Sequence, residues 1–183
     1  MEISVRLANP PVELVAKYTK KEREFFSNYA NFVLKLVSKS EVQLLLRGLI
    51  EQEQIHSDNL IDLRVMIFPA RPLTGRAPTR SLHGSYNHDA SQISIYPEKF
   101  PRNWIRNRGF ELFTIPTREM SSEARRIVRG IQLSSLSTLV HEVLHIKFSG
   151  SQLSRYSEEA IVRRLEKEHV QDWVQKLESL LVS

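Results

Sequence analysis

The amino-acid sequence predicts an α+β fold in one domain, because two kinds of periodicity occupy different parts of the chain. Apolar residues recur at helical spacing near both ends, whereas residues 60–96 contain short β-branched and alternating segments. A length of 183 residues suits one domain with a core of its own. We therefore expect N-terminal helices, a small mixed or antiparallel sheet with an edge hairpin, a buried helix and a C-terminal helix.

The N-terminal third of the chain predicts helices that carry no chemistry. Apolar residues recur at helical spacing from Val12 to Val37, and a second helical pattern follows the polar residues 38–40. Neither pattern contains a pair of residues suited to catalysis. We interpret residues 1–59 as a helical region that serves as a scaffold or as a pro-segment over a cleft. Residues 60–183 are then the core that carries the function.

The central part of the chain predicts strands. Residues 60–68 form a short, β-branched run typical of a strand, and residues 69–80 contain three prolines and one glycine, which indicates a loop. Residues 82–96 predict a hairpin with residues 83–86 and 92–96 as its arms. This hairpin supplies the edge of the predicted sheet.

Helical periodicity returns in the C-terminal part of the chain. One pattern begins at Ser121 and continues to about Phe148, where a Ser-Gly pair ends it. Ser157 is a suitable N-cap for a last helix over residues 158–181. The sequence therefore predicts two long helices joined by a short linker.

A His-Glu-x-x-His motif lies in the first of these helices, at His141, Glu142 and His145. Residues four apart share one helical face, so the two imidazoles can bind one zinc ion. The Glu142 carboxylate can then act as the general base on a water molecule. Apolar residues surround the motif, and polar side chains on a buried helix need partners. The sequence thus predicts a Zn²⁺ site of His, Asp or Glu ligands, since the chain has no cysteine.

A catalytic zinc site needs a third protein ligand, and the candidates lie C-terminal to the motif. They are Glu158, Glu159, Glu166 and His169. Glu158 lies on the predicted inner stripe of the last helix, so we favour it, followed by Glu159 and then His169. Acidic residues in a first helical turn are also favoured by the helix dipole, which explains the two adjacent glutamates without a metal.

The motif, followed by a short linker and a helix that opens with two glutamates, resembles the gluzincin zinc metallopeptidases. The chain is most similar to their small members, the minigluzincins, over residues 60–180, which include the hairpin before the motif helix. The resemblance implies a zincin-like fold. It also implies that the two motif histidines and Glu158 bind zinc, and that Glu142 is the general base.

The chain departs from the gluzincin pattern in one respect. Larger gluzincins place an acidic residue four positions after the ligand glutamate, where it orients a histidine. Here that position is Val162, or Arg163 if Glu159 is the ligand. The groups that orient the histidines must therefore come from elsewhere in the chain.

The activity that these residues predict is that of a zinc-dependent metalloendopeptidase acting on a peptide or protein. A donor besides zinc must stabilise the oxyanion of the reaction, and the candidates are Tyr156, Tyr86 and His83. We expect an extended substrate to pair with the edge strand of the hairpin.

The excess of basic over acidic residues supports a different class of function. The formal net charge is +5, and arginines cluster within residues 71–80, 102–108 and 118–129. The alternative is a nucleic-acid-associated protein, either a non-catalytic DNA-binding module or a SprT-like protease. SprT-like proteases use a histidine as third ligand, and no histidine occurs between His145 and His169. An inactive interaction scaffold is a third hypothesis.

No feature of the sequence points to a membrane or to export. No window reaches the run of about 18 apolar residues that a membrane span needs. The N-terminus lacks the basic and apolar regions of a signal peptide. The lack of cysteine fits a reducing compartment, so we expect a cytoplasmic protein without a membrane partner.

Overall fold

The computed structural model describes residues 3–10, 12–70, 83–109 and 111–182. Its helices are α1 Val12–Val15, α2 Lys20–Val37, α3 Ser40–Gln52, α4 Arg102–Trp104, α5 Ser122–Lys147 and α6 Arg155–Lys176. Its strands are β1 Ser4–Leu7, β2 Arg64–Ile67, β3 Gly84–Asn87 and β4 Gln92–Ile95. The predicted α+β class is therefore confirmed. Most of the predicted loop at 69–80 lies outside the described residues.

The four strands form one mixed sheet with the order β1-β2-β4-β3. β1 is parallel to β2 and β2 is parallel to β4, whereas β3 and β4 form an antiparallel hairpin. Gly84 pairs with Ile95 and Asn87 pairs with Gln92, so the predicted hairpin is present, but its first arm is shifted by one residue and includes Asn87, which the sequence assigns to the turn. β3 is an edge of the sheet, and it packs on α5.

The sequence does not predict β1. Three of its four side chains are exposed and only Val5 is partly buried, so the segment lacks the alternation typical of a strand. Its hydrogen-bonding partner is β2, where Ser4 pairs with Arg64 and Leu7 with Ile67. The N-terminal region and the rest of the chain therefore share one sheet.

The strand predicted at residues 60–68 is shorter in the structure. Residues Ser57–Leu60 form a 3-10 turn, and β2 begins only at Arg64. Asp62 has a φ of 58°, a left-handed conformation that interrupts an extended backbone. The β-branched run therefore contributes only its C-terminal half to the sheet.

The helical pattern of residues 12–37 is divided at Thr19. The Thr19 side chain accepts a hydrogen bond from the backbone N–H of Glu22, and the Glu22 carboxylate accepts one of 2.7 Å from the N–H of Thr19. This reciprocal capping box starts α2 as a new helix. α2 then packs its aromatic residues on the segment after the hairpin, with the rings of Phe25 and Phe100 5.3 Å apart.

The last helix begins earlier than the sequence predicts, because Ser154 rather than Ser157 is its N-cap. The Ser154 side chain accepts a hydrogen bond of 3.2 Å from the backbone N–H of Ser157, and its backbone is extended, with a ψ of 147°. α6 consequently spans Arg155–Lys176 instead of residues 158–181. Its N-terminal turn thus includes the residues that the sequence assigns to the linker.

The core surrounds α5, which packs on α6, on α2 and on both strands of the hairpin. Val128, Leu136, Val140 and Leu144 of this helix are 0% exposed, as expected for the predicted buried helix. The connected cluster of buried apolar residues extends from Ile3 to Leu181 and includes both the N-terminal and the C-terminal regions. None of the described helices combines the length and apolarity needed to cross a bilayer.

Candidate metal centre

Two imidazoles of α5 face each other at its C-terminal end. His141 and His145 lie about one helical turn apart, and their Nε2 atoms are 3.1 Å from each other. Their side chains are 20% and 21% exposed, so the pair lies at the surface of the core. The spacing of the motif therefore brings the two rings together, as the sequence predicts.

Each imidazole is contacted on its Nδ1 side by a carboxylate of α6. Nδ1 of His145 lies 2.6 Å from Oε1 of Glu158, and Nδ1 of His141 lies 2.8 Å from Oε2 of Glu166. An ionised carboxylate only accepts hydrogen bonds, so each Nδ1 must carry the proton and donate it. A neutral ring in this tautomer presents an unprotonated Nε2 on its other side.

Two unprotonated Nε2 atoms at 3.1 Å repel each other unless a proton or a metal ion lies between them. Glu159 adds a third ligand group, because its Oε1 lies 3.7 Å from Nε2 of His141 and its Oε2 lies 3.6 Å from Nε2 of His145. The three ligand atoms all lie within 4.8 Å of one another. The surroundings of the Nε2 pair therefore suit a cation.

The types of atom in this group, and their closeness, suit a zinc site. In a tetrahedral site with zinc–ligand bonds of about 2.0–2.2 Å, two ligand atoms are about 3.3–3.6 Å apart. The two Nε2 atoms are 3.1 Å apart, and a different oxygen of Glu159 lies near each of them, Oε1 at 3.7 Å from His141 and Oε2 at 3.6 Å from His145. Two imidazole nitrogens and one carboxylate oxygen are also a donor set that catalytic zinc sites use. The residues present therefore fit the metal that the sequence predicts.

The adjacent Glu158 and Glu159 occupy different sides of the same imidazole. Glu159 faces the Nε2 atoms, whereas Glu158, the ligand favoured from the sequence, bonds to Nδ1 of His145. Successive helical residues point about 100° apart, so the two carboxylates cannot face the same side. Arg163 contacts Glu159, with its Nε 2.9 Å from Oε1 of that carboxylate.

Two other candidates from the sequence lie in different surroundings. His169 is 7% exposed, and its Nε2 lies 2.7 Å from Oε1 of Glu53, next to the end of α3. Lys147 donates a hydrogen bond of 2.7 Å to the same carboxylate, so His169 belongs to a buried polar cluster that joins α3, α5 and α6. Tyr156 is 86% exposed in the first turn of α6. Its role as an oxyanion donor stays a prediction.

Glu142 lies beside the group formed by His141, His145 and Glu159, and it packs against the edge strand β3. It is 7% exposed, and the backbone N–H of Tyr86 favours the ionised form of its carboxylate, which acts to lower its pKa. β3 lies so close that a Cβ on Gly84 would be 2.9 Å from Oε1 of Glu142 and 2.5 Å from Cγ2 of Thr138. Glycine is therefore required at this position of β3, a requirement that no local sequence signal reveals.

Burial raises the pKa of Glu142 to about 7, because removal from water disfavours the ionised carboxylate, and attraction to His141 only partly opposes this. A dication beside the imidazoles would lower that pKa again. Burial works against the charged form of His141, yet its hydrogen bond with Glu166 and the nearby negative charge of Glu142 raise its pKa. Three carboxylates of α6 also contact the imidazole pair, which favours a bound cation.

The sequence marks Glu166 only as a candidate ligand and does not mark Ser137. In the structure Ser137 donates a hydrogen bond to Oε1 of Glu166, whose other oxygen contacts His141. Although burial acts in the opposite direction, these two hydrogen bonds hold the pKa of Glu166 below its usual value. The one available signal was spacing, because Ser137 lies four residues before His141 and shares its helical face.

Tyr86 and His83, the other oxyanion candidates, lie on the hairpin. The Tyr86 hydroxyl is 3.4 Å from Nδ1 of His88, and the same Nδ1 is 2.8 Å from Oγ of Ser149. Burial raises the pKa of Tyr86. The carbonyl of His83 accepts a hydrogen bond of 2.8 Å from the N–H of Tyr96. These contacts connect the hairpin with the end of α5, and a catalytic role for either residue stays a prediction.

Several arginines that suggest nucleic acid contact carboxylates of the same chain. Arg102 makes hydrogen bonds of 2.6 and 2.9 Å with the buried Glu22, and Arg106 adds a contact of 3.4 Å. Arg129 lies 2.9 Å from Glu178. These three arginines therefore have carboxylate partners within the chain.

The candidate metal centre is the feature from which a function can be argued. Comparisons with protein-family models, with curated proteins and with solved structures found no match for this chain. The resemblance to gluzincins accordingly rests on the motif and on the residues around it.

Proposed function

We propose that this chain is a zinc-dependent metalloendopeptidase whose metal ligands are His141, His145 and Glu159. The observation that carries the proposal is the pair of Nε2 atoms 3.1 Å apart, each on a ring whose Nδ1 donates to a carboxylate. The Glu159 oxygens, within 3.7 Å of both rings, support a third ligand. Three protein ligands leave one position for water, which is the composition of catalytic rather than structural zinc sites.

Glu142 is the general base in this proposal. Zinc at this position supplies Lewis acidity, which polarises a substrate carbonyl and acidifies water. The Glu142 carboxylate accepts a proton from the attacking water and then donates it to the nitrogen of the leaving amine. The charge of His141 and the backbone N–H of Tyr86 both favour the ionised form of this carboxylate, which is the form that accepts the proton.

An extended peptide is the substrate that suits the surroundings of this site. β3 is an edge strand, and Gly84 brings its backbone directly against Glu142. An extended chain can add to such an edge through backbone hydrogen bonds, which do not depend on the side chains of the substrate. The substrate backbone would then run alongside the motif helix.

The same features support a zincin-like, single-domain fold of the gluzincin type. A mixed sheet with an edge hairpin precedes the motif helix, and the helix after it supplies Glu159. This residue takes the place of the downstream glutamate that the resemblance implies. We further propose a cytoplasmic location, which the lack of cysteine supports.

Glu142→Gln tests the mechanism. The amide keeps the shape of the side chain but cannot accept the proton, so we expect a full complement of zinc and cleavage slowed about 10²- to 10⁴-fold. Zinc is measured by elemental analysis, and cleavage of an unfolded protein by mass spectrometry of its products. Glu168→Gln, at an exposed position of α6, is the matched control and should cleave at the wild-type rate. Cleavage by Glu142→Gln at the wild-type rate would rule out this residue as the base.

The alternative of a nucleic-acid-associated protein has less support. Arg102 and Arg106 contact Glu22, so part of the basic cluster at residues 102–108 is already paired within the chain. A DNA affinity that depends steeply on salt and is insensitive to a chelator would favour that alternative.

A further inference from the structure

We propose that Glu166, held by Ser137, is the positioning residue that orients His141 for metal binding. The inference rests on the proposed zinc site and identifies how this chain supports it. Larger gluzincins orient a histidine with an acidic residue four positions after the ligand glutamate, where this chain has Arg163. Glu166 supplies the missing carboxylate from one turn further along α6.

Both oxygens of Glu166 contact α5. Oε2 accepts a hydrogen bond from Nδ1 of His141 at 2.8 Å, and Oε1 accepts one from Oγ of Ser137. Ser137 and His141 lie four residues apart on one face of α5, so the carboxylate bridges two neighbouring turns of that helix. The Glu166 side chain is 21% exposed, which limits competition from water. These contacts fix the rotation of the His141 ring and keep its proton on Nδ1.

The orientation of the ring matters because a metal ion binds the lone pair on Nε2. A carboxylate at Nδ1 leaves Nε2 unprotonated and makes it a stronger donor. Glu158 has the same relation to His145, at 2.6 Å, and Arg163 contacts the third ligand, Glu159, at 2.9 Å. α6 thus carries the proposed ligand Glu159. It also carries the residues that contact each of the three ligands, so its packing on α5 assembles the site.

The zinc affinity of the full chain, measured by competition with a chromophoric chelator at neutral pH, tests this proposal. Glu166→Gln keeps an acceptor for Nδ1 but removes the negative charge, so the apparent Kd should rise about 10- to 100-fold. Ser137→Ala frees one oxygen of Glu166 and should raise the Kd about 3- to 10-fold. Glu168→Gln removes an exposed charge from the same helix and should bind zinc like the wild type.

Three further measurements distinguish positioning from a general loss of structure. If Ser137 acts through Glu166, Ser137→Ala should have no further effect on the Kd when it is combined with Glu166→Gln. The visible absorption of the cobalt-loaded protein should also change in Glu166→Gln, because the His141 ring is a ligand whose orientation is altered. Thermal unfolding of the metal-free proteins reports whether each variant is folded.

The outcomes separate this proposal from the proposed enzyme. A wild-type chain that binds zinc, with an unchanged Kd in Glu166→Gln or an equal loss in Glu168→Gln, would overturn the assignment of Glu166 and leave the metallopeptidase in place. If Glu166→Gln fails to fold, the Ser137→Ala protein decides, and an unchanged Kd overturns the assignment. A wild-type chain that binds no zinc would overturn both proposals.

Discussion

Glu158 and Glu159 lie on opposite sides of one imidazole, so their removal should have different consequences. Glu159→Ala deletes a proposed ligand, whereas Glu158→Ala deletes only the partner of His145 Nδ1. We expect a loss of zinc affinity of about 10- to 100-fold for Glu158→Ala and a larger loss for Glu159→Ala. Chelator competition measures both values. The reverse order would support Glu158 as the ligand, as the sequence predicts.

Glu22 makes the stability of the protein depend on pH. Its side chain is 1% exposed, and the hydrogen bond from Arg102 lowers its pKa from 4.5 to about 2, against the effect of burial. A depressed folded-state pKa means that the stabilisation is complete above about pH 4.5 and is lost as the pH falls toward 2. At pH 7 we expect Glu22→Gln to cost about 2 kcal/mol, since exposure of Arg102 weakens the pair.

Denaturant unfolding of the wild type and Glu22→Gln at pH 7 and at pH 3 checks this prediction. The difference in unfolding free energy between the wild type and Glu22→Gln should be smaller at pH 3 than at pH 7. At pH 3 the pH is below the ordinary pKa of 4.5 and approaches the folded-state pKa of about 2, so part of the stabilisation is lost. Glu24→Gln, an exposed neighbour on α2, serves as the control and should change stability little at either pH. A difference that does not vary with pH would contradict the assigned ion pair.

At the scale of single elements, the start of α6 depends on which serine caps it. Ser154→Ala removes the acceptor for the N–H of Ser157 and should lower the free energy of unfolding by about 1 kcal/mol. Ser157→Ala removes a side chain inside the first turn and should change it by less than about 0.5 kcal/mol. Denaturant unfolding compares the two. A larger effect of Ser157→Ala would indicate that the helix starts where the sequence predicts.

The edge strand β3 shows how two elements can depend on a single small residue. The glycine at position 84 allows the backbone of β3 to lie against Thr138 and Glu142 of α5. The backbone N–H of Tyr86, in the same strand, favours the ionised form of the Glu142 carboxylate. The hairpin therefore shapes the surroundings of the proposed base as well as forming the sheet.

For the whole molecule, the decisive question is whether residues 1–59 are part of the fold or a removable cover. They supply β1, which pairs with β2, and they supply Phe25 and Val33, both 0% exposed in the core. We expect a chain that begins at Leu60 to lose cooperative unfolding, because its sheet and core would be exposed to water. Near-ultraviolet circular dichroism and thermal unfolding measure this. The pro-segment interpretation predicts instead a folded chain that cleaves peptides faster than the full-length protein.

The sequence by itself determined the features that arise from local geometry. The four-residue spacing of His141 and His145 places both rings on one helical face wherever the helix packs. Apolar periodicity likewise located α2, α3 and α5, and alternation located the hairpin, since both patterns report which side of an element is buried. The α+β class follows from the order of these elements.

Only the tertiary structure decided which side chains meet the imidazoles. Glu158, Glu159 and Glu166 all lie on α6, and the local sequence does not specify the rotation of that helix relative to α5. The N-cap at Ser154 and the burial of Val162 and Trp173 set this rotation. β1 was hidden for a related reason, because its partner strand is distant in the chain. Contacts between distant segments depend on packing over the whole core, and a local pattern does not contain that information.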